Sequence, residues 1–281
     1  RDRDVMLLVQ YKAPADSTKD SLKALNDEIV QFFVNAPATP FSSEGNPHSL
    51  KSIHIQEYGG ISNAAPPNLG FEHVYGDSYI VETLFTTKFR IRPTSFFQVN
   101  TPANELLIQM IRDMGAITPS TLVLDLCCGT GTIGISLAPF CHSVLGVDMV
   151  SEAIDDAKDN AALNQLSNTS YICSKVEAAS VTSALDSAMD EYEAGQVLAI
   201  CDPPRGGLHN NFLAWLRRAT QIKRLVYVSC DQSSLIRDTM PLTKPCSSKY
   251  SGAPFRPVSA RCLDLFPQTD LCEVVVLWER C

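Results

Sequence analysis

Hydrophobic positions change their spacing near residue 90, and the rest of the chain alternates between two kinds of segment. Short apolar, β-branched runs predict strands, and apolar residues at helical spacing predict helices. The predicted strands are 121–127, 143–149, 196–204, 224–230 and 273–279, and the predicted helices are 101–114 and 151–166. Apolar strands separated by helices predict an α/β fold, a parallel sheet with helices on both faces.

The first 90 residues have a mixed pattern that predicts a smaller α+β domain. Strands are expected at 5–11, 51–57, 79–85 and 88–92, and a helix at 20–34. Residues 36–50 and 59–70 are rich in loop-forming residues such as Pro, Ser, Gly and Asn. We therefore expect two domains, residues 1–90 and residues 91–281.

Composition and charge narrow the class of protein. The formal net charge of −8 argues mildly against a general nucleic-acid-binding surface. No apolar run approaches the roughly 18–20 residues that cross a bilayer, so no membrane association is expected. The 10 cysteines include no C-x-x-C pair, which argues against disulfides, zinc and iron–sulfur clusters. A metal-free protein of an intracellular, reducing compartment is therefore expected.

Chemistry-bearing residues fall where the predicted strands end. They are Asp125, Asp148, Asp202 and Cys230. In parallel sheets, ligands bind beyond the carboxyl ends of the strands. These four residues therefore predict a binding site at one edge of the sheet.

The strand 121–127 leads into a glycine loop with the spacing G-x-G-x-x-G, which includes Gly129, Gly131 and Thr132. This spacing is typical of nucleotide-containing cofactors, and Asp148 is placed to bind ribose hydroxyls. Two cofactors compete, NAD and S-adenosylmethionine. Asp125 would repel a pyrophosphate and suits a cationic ligand, which favours S-adenosylmethionine. An NAD-dependent oxidoreductase is the disfavoured alternative.

The segment after the strand 196–204 reads Asp202-Pro-Pro-Arg205-Gly-Gly. Enzymes that methylate amines carry an aromatic residue after such prolines, so Arg205 argues against that chemistry. Cys230 is either a small core residue or a nucleophile. A pyrimidine C5 becomes reactive towards a methyl donor only after a thiolate adds at C6, and a base must then remove the C5 proton.

Five segments, in this order, resemble the RNA uracil-5-methyltransferases, which make 5-methyluridine in tRNA and rRNA. They are 89–106, 124–134, 201–209, 226–234 and 264–280. The resemblance is strongest to animal members of the homologue A type, which modify the T-loop of tRNA. It implies a class I methyltransferase fold with a Rossmann-like sheet, S-adenosylmethionine as cofactor, and no iron–sulfur cluster.

The resemblance also implies residue roles. Cys230 would be the nucleophile, Glu273 the base that removes the C5 proton, and Asp202 the residue that holds the uracil edge near the donor. Gln98 would contact both the cofactor and the base, and Asp148 would bind the ribose of the cofactor. The loop residues that would contact the cofactor are Cys127, Gly129, Gly131 and Thr132. Phe96 and Phe97 either line the base pocket or belong to the core.

The expected partner is tRNA, with rRNA as a second candidate. Candidate phosphate contacts are Arg205, Arg217, Arg218, Lys223 and Arg224. A monomer in the cytosol or nucleus is expected, and the resemblance to animal relatives implies an RNA-binding module upstream of this sequence.

The chain departs from the family pattern in two places. Asp231-Gln232 replaces Asn-Pro after the cysteine, and Leu271 replaces a histidine. We expect Asp231 to raise the pKa of Cys230 and slow the reaction. The alternative function is therefore a tRNA-binding folding chaperone with weak or lost methyltransferase activity.

Overall fold

The computed structural model describes residues 4–35, 42–43, 46–47, 49–60, 66, 69–193 and 195–281. Most of the two predicted loops, 36–50 and 59–70, lies outside the described residues. The chain forms two compact units, residues 1–83 with 89–95 and residues 84–88 with 96–281. The predicted domain boundary after residue 90 falls in the stretch where the chain alternates between the units.

The first unit contains a three-stranded sheet in the order β1-β4-β5. β1 and β4 are parallel, and β5 is antiparallel to β4. The elements up to residue 91 are β1 (Asp4–Tyr11), α1 (Lys19–Asn35), β2 (Ser42–Ser43), β3 (Asn46–Pro47), β4 (Ser49–Glu57), β5 (Glu72–Gly76), β6 (Ile80–Leu84) and β7 (Thr87–Ile91). These confirm the predicted helix and all four predicted strands. The pattern does not predict β5, because its sequence EHVYG has only two large apolar residues.

The second unit contains a seven-stranded sheet in the order β10-β9-β8-β11-β12-β14-β13. Its strands are β8 (Leu122–Leu126), β9 (Ser143–Asp148), β10 (Thr169–Cys173), β11 (Val197–Cys201), β12 (Ile222–Ser229), β13 (Phe255–Leu263) and β14 (Glu273–Arg280). The strands β10, β9, β8, β11 and β12 are parallel to their neighbours in this order. The mostly parallel sheet confirms the predicted α/β fold.

Helices of the second unit pack on both faces of this sheet. They are α2 (Thr101–Gly115), α3 (Thr132–Leu137), α4 (Ser151–Leu163), α5 (Ala179–Met189), α6 (Asn210–Arg218) and α7 (Gln232–Thr243). Leu122, Leu124 and Leu126 share a core cluster with residues of α5 and α6. Val123 is also fully buried but points to the opposite face, as the alternation of a strand requires. Within the described ranges, no helix has both the length and the apolar character needed to cross a membrane.

The strand β14 reverses direction, which the sequence pattern does not predict. It pairs antiparallel with both β12 and β13. The pattern misses β13 because the apolar residues of its sequence FRPVSARCL form no continuous run, and most of the strand is exposed. The reversal places the start of β14 at the edge where the parallel strands end. Ser229 lies opposite Val274 in this antiparallel pair. Cys230, which follows Ser229, and Glu273, which precedes Val274, therefore both lie at that edge.

Candidate active site

One edge of the large sheet brings together five of the predicted site residues. Asp125 is the penultimate residue of β8, Asp148 ends β9, and Asp202 and Cys230 directly follow β11 and β12. Glu273 joins them because it is the first residue of the reversed strand β14. The edge therefore carries four carboxyl groups together with the Cys230 thiol, of which Glu273 and Asp202 act on that thiol.

Backbone geometry explains the glycines of the loop after β8. Gly129 and Gly131 have φ angles of +53° and +78°, which favour residues without a Cβ. A Cβ at Gly131 would also lie 2.9 Å from Cδ1 of Ile135, so the start of α3 packs closely there. A Cβ at Gly129 would meet no atom within 4 Å, so the space beside this glycine is open.

Two carboxylates hold the loop in place through backbone amides. The Oδ2 atom of Asp148 accepts a hydrogen bond from the Gly129 amide at 2.9 Å, and its Oδ1 atom accepts one from Val150 at 2.9 Å. Asp125 lies beneath the loop, where its Oδ2 atom accepts from the Gly134 amide at 2.8 Å. Cys127, at the start of the loop, is partly buried and has a φ angle of +69°.

Asp125 is buried, with 1% of its surface exposed. Burial raises the pKa of its carboxyl to about 7, although the hydrogen bond from Gly134 opposes the shift. Its Oδ1 atom has no hydrogen-bond partner among the described residues. Asp125 therefore supports the loop from below and keeps one buried acceptor unused.

The segment Phe96–Gln98 borders the same loop. The hydroxyl of Thr130 lies 3.5 Å from the Phe96 carbonyl oxygen, to which it donates, and 3.2 Å from the hydroxyl of Thr132. Phe97 and Gln98 are partly buried, whereas the ring of Phe96 is largely exposed. The exposed ring of Phe96 does not belong to the core.

Cys230 is partly buried, and its thiol has a raised pKa. Burial is the main cause, and the nearby Glu273 and Asp202 carboxylates raise the pKa further. Its own backbone amide and the Arg205 guanidinium oppose the shift. The thiol is therefore mostly protonated at neutral pH.

Asp231 does not play the role that the sequence predicts. Its Oδ1 atom accepts hydrogen bonds from the amides of Ser233, at 2.8 Å, and Ser234, at 3.3 Å, so it caps α7. A negative charge is favourable at a helix N-terminus. The anions that raise the pKa of Cys230 are Glu273 and Asp202 instead.

Glu273 and Asp202 are the two carboxyl groups that act on the thiol. Glu273 is 2% exposed, and burial raises its pKa to about 7. Asp202 is partly exposed as a residue, but desolvation of its carboxyl, followed by the charges of Glu273 and Asp125, raises its pKa to about 8. Both groups exchange protons near neutral pH, as a general acid or base must.

The two departures from the family pattern lie close to each other. The Gln232 side-chain amide donates to the sulfur of Cys272 at 3.4 Å, directly before Glu273. Leu271 is exposed, and its amide donates to the Thr269 hydroxyl at 3.2 Å.

The predicted phosphate contact Arg217 is wrong. Its guanidinium is buried and donates to backbone carbonyl oxygens of Pro241, Leu242, Lys244, Tyr250, Ser251 and Gly252. Arg224 similarly donates to the carbonyl oxygens of Ala116 and Gly195. Lys223 is exposed, but at about 3.3 Å per strand residue it lies roughly 23 Å from Cys230.

Asp238 on α7 is the polar residue of this edge that the sequence does not predict. It is 1% exposed and accepts hydrogen bonds from the Leu208 amide and the Tyr227 hydroxyl. Its burial and its partners cannot be predicted from the sequence, where it is an acidic residue beside Arg237. All ten cysteines are free, and no group of three or more His, Cys, Asp or Glu residues in the described part of the chain is placed to hold a metal ion.

The fold and the site define the class of this chain. A mostly parallel sheet with a glycine loop after β8 and a carboxylate at the end of β9 is the class I methyltransferase arrangement. Among solved structures, the chain is similar to Pyrococcus abyssi tRNA (uracil-54, C5)-methyltransferase in complex with S-adenosyl-L-homocysteine, with a TM-score of 0.63 and 25% identity over 86% of this chain and 54% of that one. It shares the fold of M. jannaschii tRNA m1G37 methyltransferase, with a TM-score of 0.52 and 13% identity over 99% of this chain and 74% of that one.

Sequence comparison gives the family. The family described as tRNA (Uracil-5-)-methyltransferase matches residues 72–280. The chain is 37% identical to tRNA (uracil-5-)-methyltransferase homolog A of Mus musculus, over 99% of this chain and 43% of that protein, and equally to its Homo sapiens counterpart. The chain belongs to the tRNA (uracil-5-)-methyltransferase family, and it spans less than half the length of these relatives.

Proposed function

We propose that this chain transfers a methyl group from S-adenosylmethionine to C5 of a uridine in RNA, through a covalent bond between Cys230 and C6. The proposed target is the T-loop uridine of tRNA. The observation that carries the proposal is the pairing of β12 with β14, which brings Cys230 and Glu273 to the edge that holds the glycine loop. Family membership supports the choice of substrate.

The loop fits a cationic methyl donor better than a dinucleotide. The space beside Gly129 is open, and Asp125 keeps a buried oxygen without a partner among the described residues beneath the loop. The Asp148 carboxylate and the partly ionised carboxyl of Asp125 make this edge acidic, which favours an ammonium and a sulfonium over a pyrophosphate. The residues that would hold the donor are Asp125, Cys127, Gly129, Gly131, Thr132 and Asp148 with Gln98 and Asp202. When bound, S-adenosylmethionine supplies a methyl group whose carbon is the electrophile.

Cys230 begins the proposed reaction as a thiolate. Its sulfur forms a bond to C6 of the uracil, and the electron pair of the C5–C6 double bond moves towards C5 and the O4 oxygen. Since the pKa of the thiol is raised, only a small fraction is ready at neutral pH, and the Arg205 charge favours that fraction. Carbon C5 of the adduct, now electron-rich, would take the methyl group that bound S-adenosylmethionine would supply, and the electron pair of the broken methyl–sulfur bond would stay on the donor's sulfur.

Glu273 completes the proposed reaction as the base. It accepts the C5 proton, the electron pair restores the C5–C6 double bond, and the bond from C6 to sulfur breaks to return the thiolate. A pKa of about 7 leaves a substantial fraction of Glu273 ionised at neutral pH. A pKa of about 8 leaves Asp202 mostly protonated there, so it can donate a hydrogen bond to a uracil carbonyl oxygen that gains charge.

The uridine must leave its stack to reach Cys230, because C6 is inaccessible inside a helix or a stacked loop. Phe97, Gln98 and Arg205 are the proposed contacts to the flipped base and its phosphates. The exposed ring of Phe96 offers a surface on which a neighbouring base can stack. Action on rRNA, a monomeric state, an additional RNA-binding module and an intracellular location remain predictions.

A trapping experiment tests the proposal. A tRNA with 5-fluorouridine in the T-loop cannot lose its C5 substituent as a proton, so the covalent adduct should accumulate in the presence of labelled S-adenosylmethionine. The wild-type chain and the control Cys246→Ala, an exposed cysteine, should form the adduct, and Cys230→Ala should not. Tight tRNA binding without an adduct would overturn the proposal and favour the folding chaperone instead.

A further inference from the structure

The buried carboxylate of Asp238 joins the two segments that carry Asp202 and Cys230. We propose that Asp238 is a positioning residue that fixes these two segments relative to each other for adduct formation. This inference rests on the proposed function. Asp238 lies in the middle of α7 and is 1% exposed, so it acts through its protein partners rather than on a bound substrate.

The first segment is the loop that follows β11. Its start is held by the Asp202 amide, which donates to the Leu126 carbonyl oxygen at 3.3 Å. Its end is held by Asp238, whose Oδ2 atom accepts a hydrogen bond from the buried Leu208 amide at 2.7 Å. The loop between these two anchors contains Arg205, so Asp238 fixes the half of the loop that Leu126 does not reach.

The contact between Asp238 and this loop is close. Gly207 has a φ angle of +68°, and a Cβ there would lie 2.6 Å from the Oδ2 atom of Asp238. The Nη2 atom of Arg237 donates to the Gly206 carbonyl oxygen. The Nε atom of Arg237 lies 3.3 Å from the Oδ1 atom of Asp238. The missing side chain of Gly207 therefore allows the backbone of this loop to lie against the Asp238 carboxylate and against Arg237.

The second segment is the end of β12 and the turn that carries Cys230. The hydroxyl of Tyr227 donates to the same Oδ2 atom of Asp238 at 2.7 Å. Tyr227 is fully buried and lies in β12 shortly before Cys230, and α7 begins directly after Asp231. Burial, together with the hydrogen bond to Asp238, raises the pKa of Tyr227, so the tyrosine remains the donor.

The arrangement makes one oxygen atom the meeting point of the loop and the strand. Without it, the buried Leu208 amide and the buried Tyr227 hydroxyl would each lack a partner, which a protein interior does not tolerate without rearrangement. The rearrangement would move Asp202 and Cys230 relative to each other. The partly exposed Arg237 contributes less, because solvent screens its charge.

The test compares Asp238→Ala with Leu242→Ala, which truncates an apolar, fully buried side chain one turn further along α7. Adduct formation with 5-fluorouridine tRNA is measured at saturating tRNA and normalised to the folded fraction, together with the tRNA concentration at half saturation. Since a displacement of about 1 Å can slow a positioned reaction by about 100-fold, we expect that loss in Asp238→Ala with little change in half saturation. Leu242→Ala should lose thermal stability but keep the rate.

Conservative variants separate positioning from folding. Asp238→Asn keeps an oxygen that can accept from Leu208 and Tyr227, so its rate should recover to within about tenfold of the wild type. Tyr227→Phe removes one donor and should slow the adduct by roughly fivefold, and it serves if Asp238→Ala does not fold. Equal normalised rates in the wild type, Asp238→Ala and Tyr227→Phe would overturn the inference.

A measurement without activity distinguishes this inference from the proposed function. Hydrogen exchange of a peptide covering residues 203–208 should be faster in Asp238→Ala than in the wild type or Leu242→Ala. If the wild type forms no adduct but this difference is present, the proposed function fails and the anchoring by Asp238 stands. If the wild type forms the adduct and exchange is the same in all three proteins, the positioning role fails alone.

Discussion

The two halves of the candidate active site are built in different ways. The glycine loop lies in one continuous segment from β8 to β9, and the carboxylates of that segment hold its backbone amides. Cys230 and Glu273 are distant in sequence and meet only because β14 runs antiparallel beside β12. The first half is a local structure, and the second half is a product of topology.

This difference determines what a substitution can do. A change in the loop alters the backbone conformation that Asp125 and Asp148 hold through hydrogen bonds. A change beside Cys230 alters the protonation of several groups, because Glu273, Asp202 and the thiol influence one another. Substitutions in the loop should therefore affect binding, and substitutions beside the thiol should affect chemistry.

The largest expected effect is that of Glu273→Gln. The glutamine cannot take the C5 proton, so turnover should fall by about 10²- to 10⁴-fold while the adduct with normal uridine tRNA accumulates. Labelled methyl transfer under multiple-turnover conditions measures the first quantity, and a denaturing gel measures the second. The control is Glu279→Gln, near the other end of the same strand. The Glu279 carboxylate lies 3.3 Å from the Arg256 guanidinium and is not beside the thiol.

Normal turnover in Glu273→Gln would show that another group takes the proton. The comparison between the two halves of the site would then lose its chemical basis, although the fold would be unaffected.

A substitution in the loop should have the opposite signature. Gly131→Ala introduces a Cβ at a φ angle of +78° and 2.9 Å from Ile135, so affinity for S-adenosylhomocysteine should fall by about tenfold or more. Titration calorimetry measures this affinity. The rate at which iodoacetamide alkylates Cys230 should not change, since the loop does not set the pKa of the thiol.

The matched control for the loop is Gly195→Ala. Gly195 has a φ angle of +101°, and a Cβ added there would meet no atom within 4 Å, so the substitution introduces backbone strain far from the loop. An equal loss of affinity in both variants would mean that general strain, rather than the loop, is responsible.

The same contrast explains what could be predicted from the sequence. The buried strands β8, β9, β11 and β12 are apolar runs, and the glycine spacing lies in one segment, so both are visible as patterns. The role of Glu273 came from resemblance to a family, because no local pattern shows that β14 reverses. Arg217 is predicted as a surface contact but is buried, and Asp238 is not predicted although burial gives it two hydrogen-bond donors.

Stability should depend on pH through the Cys230 side of the site. Burial raises the pKa of Glu273 from 4.5 to about 7, so the folded state favours the protonated form. The stability contributed by this group is therefore fully present below about pH 4.5 and is lost as the pH rises through about 7. The free energy of unfolding of the wild type should therefore fall between pH 5 and pH 8, and this fall should be smaller by roughly 1–3 kcal/mol in Glu273→Gln. Urea unfolding at the two pH values measures it. An identical pH dependence in the wild type and the variant would contradict the assigned burial of the carboxyl.

The smallest expected effect compares two basic residues at opposite ends of the sheet. Arg205 is exposed and acts on the pKa of Cys230, whereas the exposed Lys223 lies near the start of β12. Arg205→Ala should weaken tRNA binding by about threefold to tenfold and reduce the salt dependence by about one phosphate contact, and Lys223→Ala should change neither. Fluorescence anisotropy at several salt concentrations measures both quantities. Equal weakening by the two substitutions would mean that tRNA contacts both ends of β12, and the edge that carries Cys230 would then be only part of the RNA-binding surface.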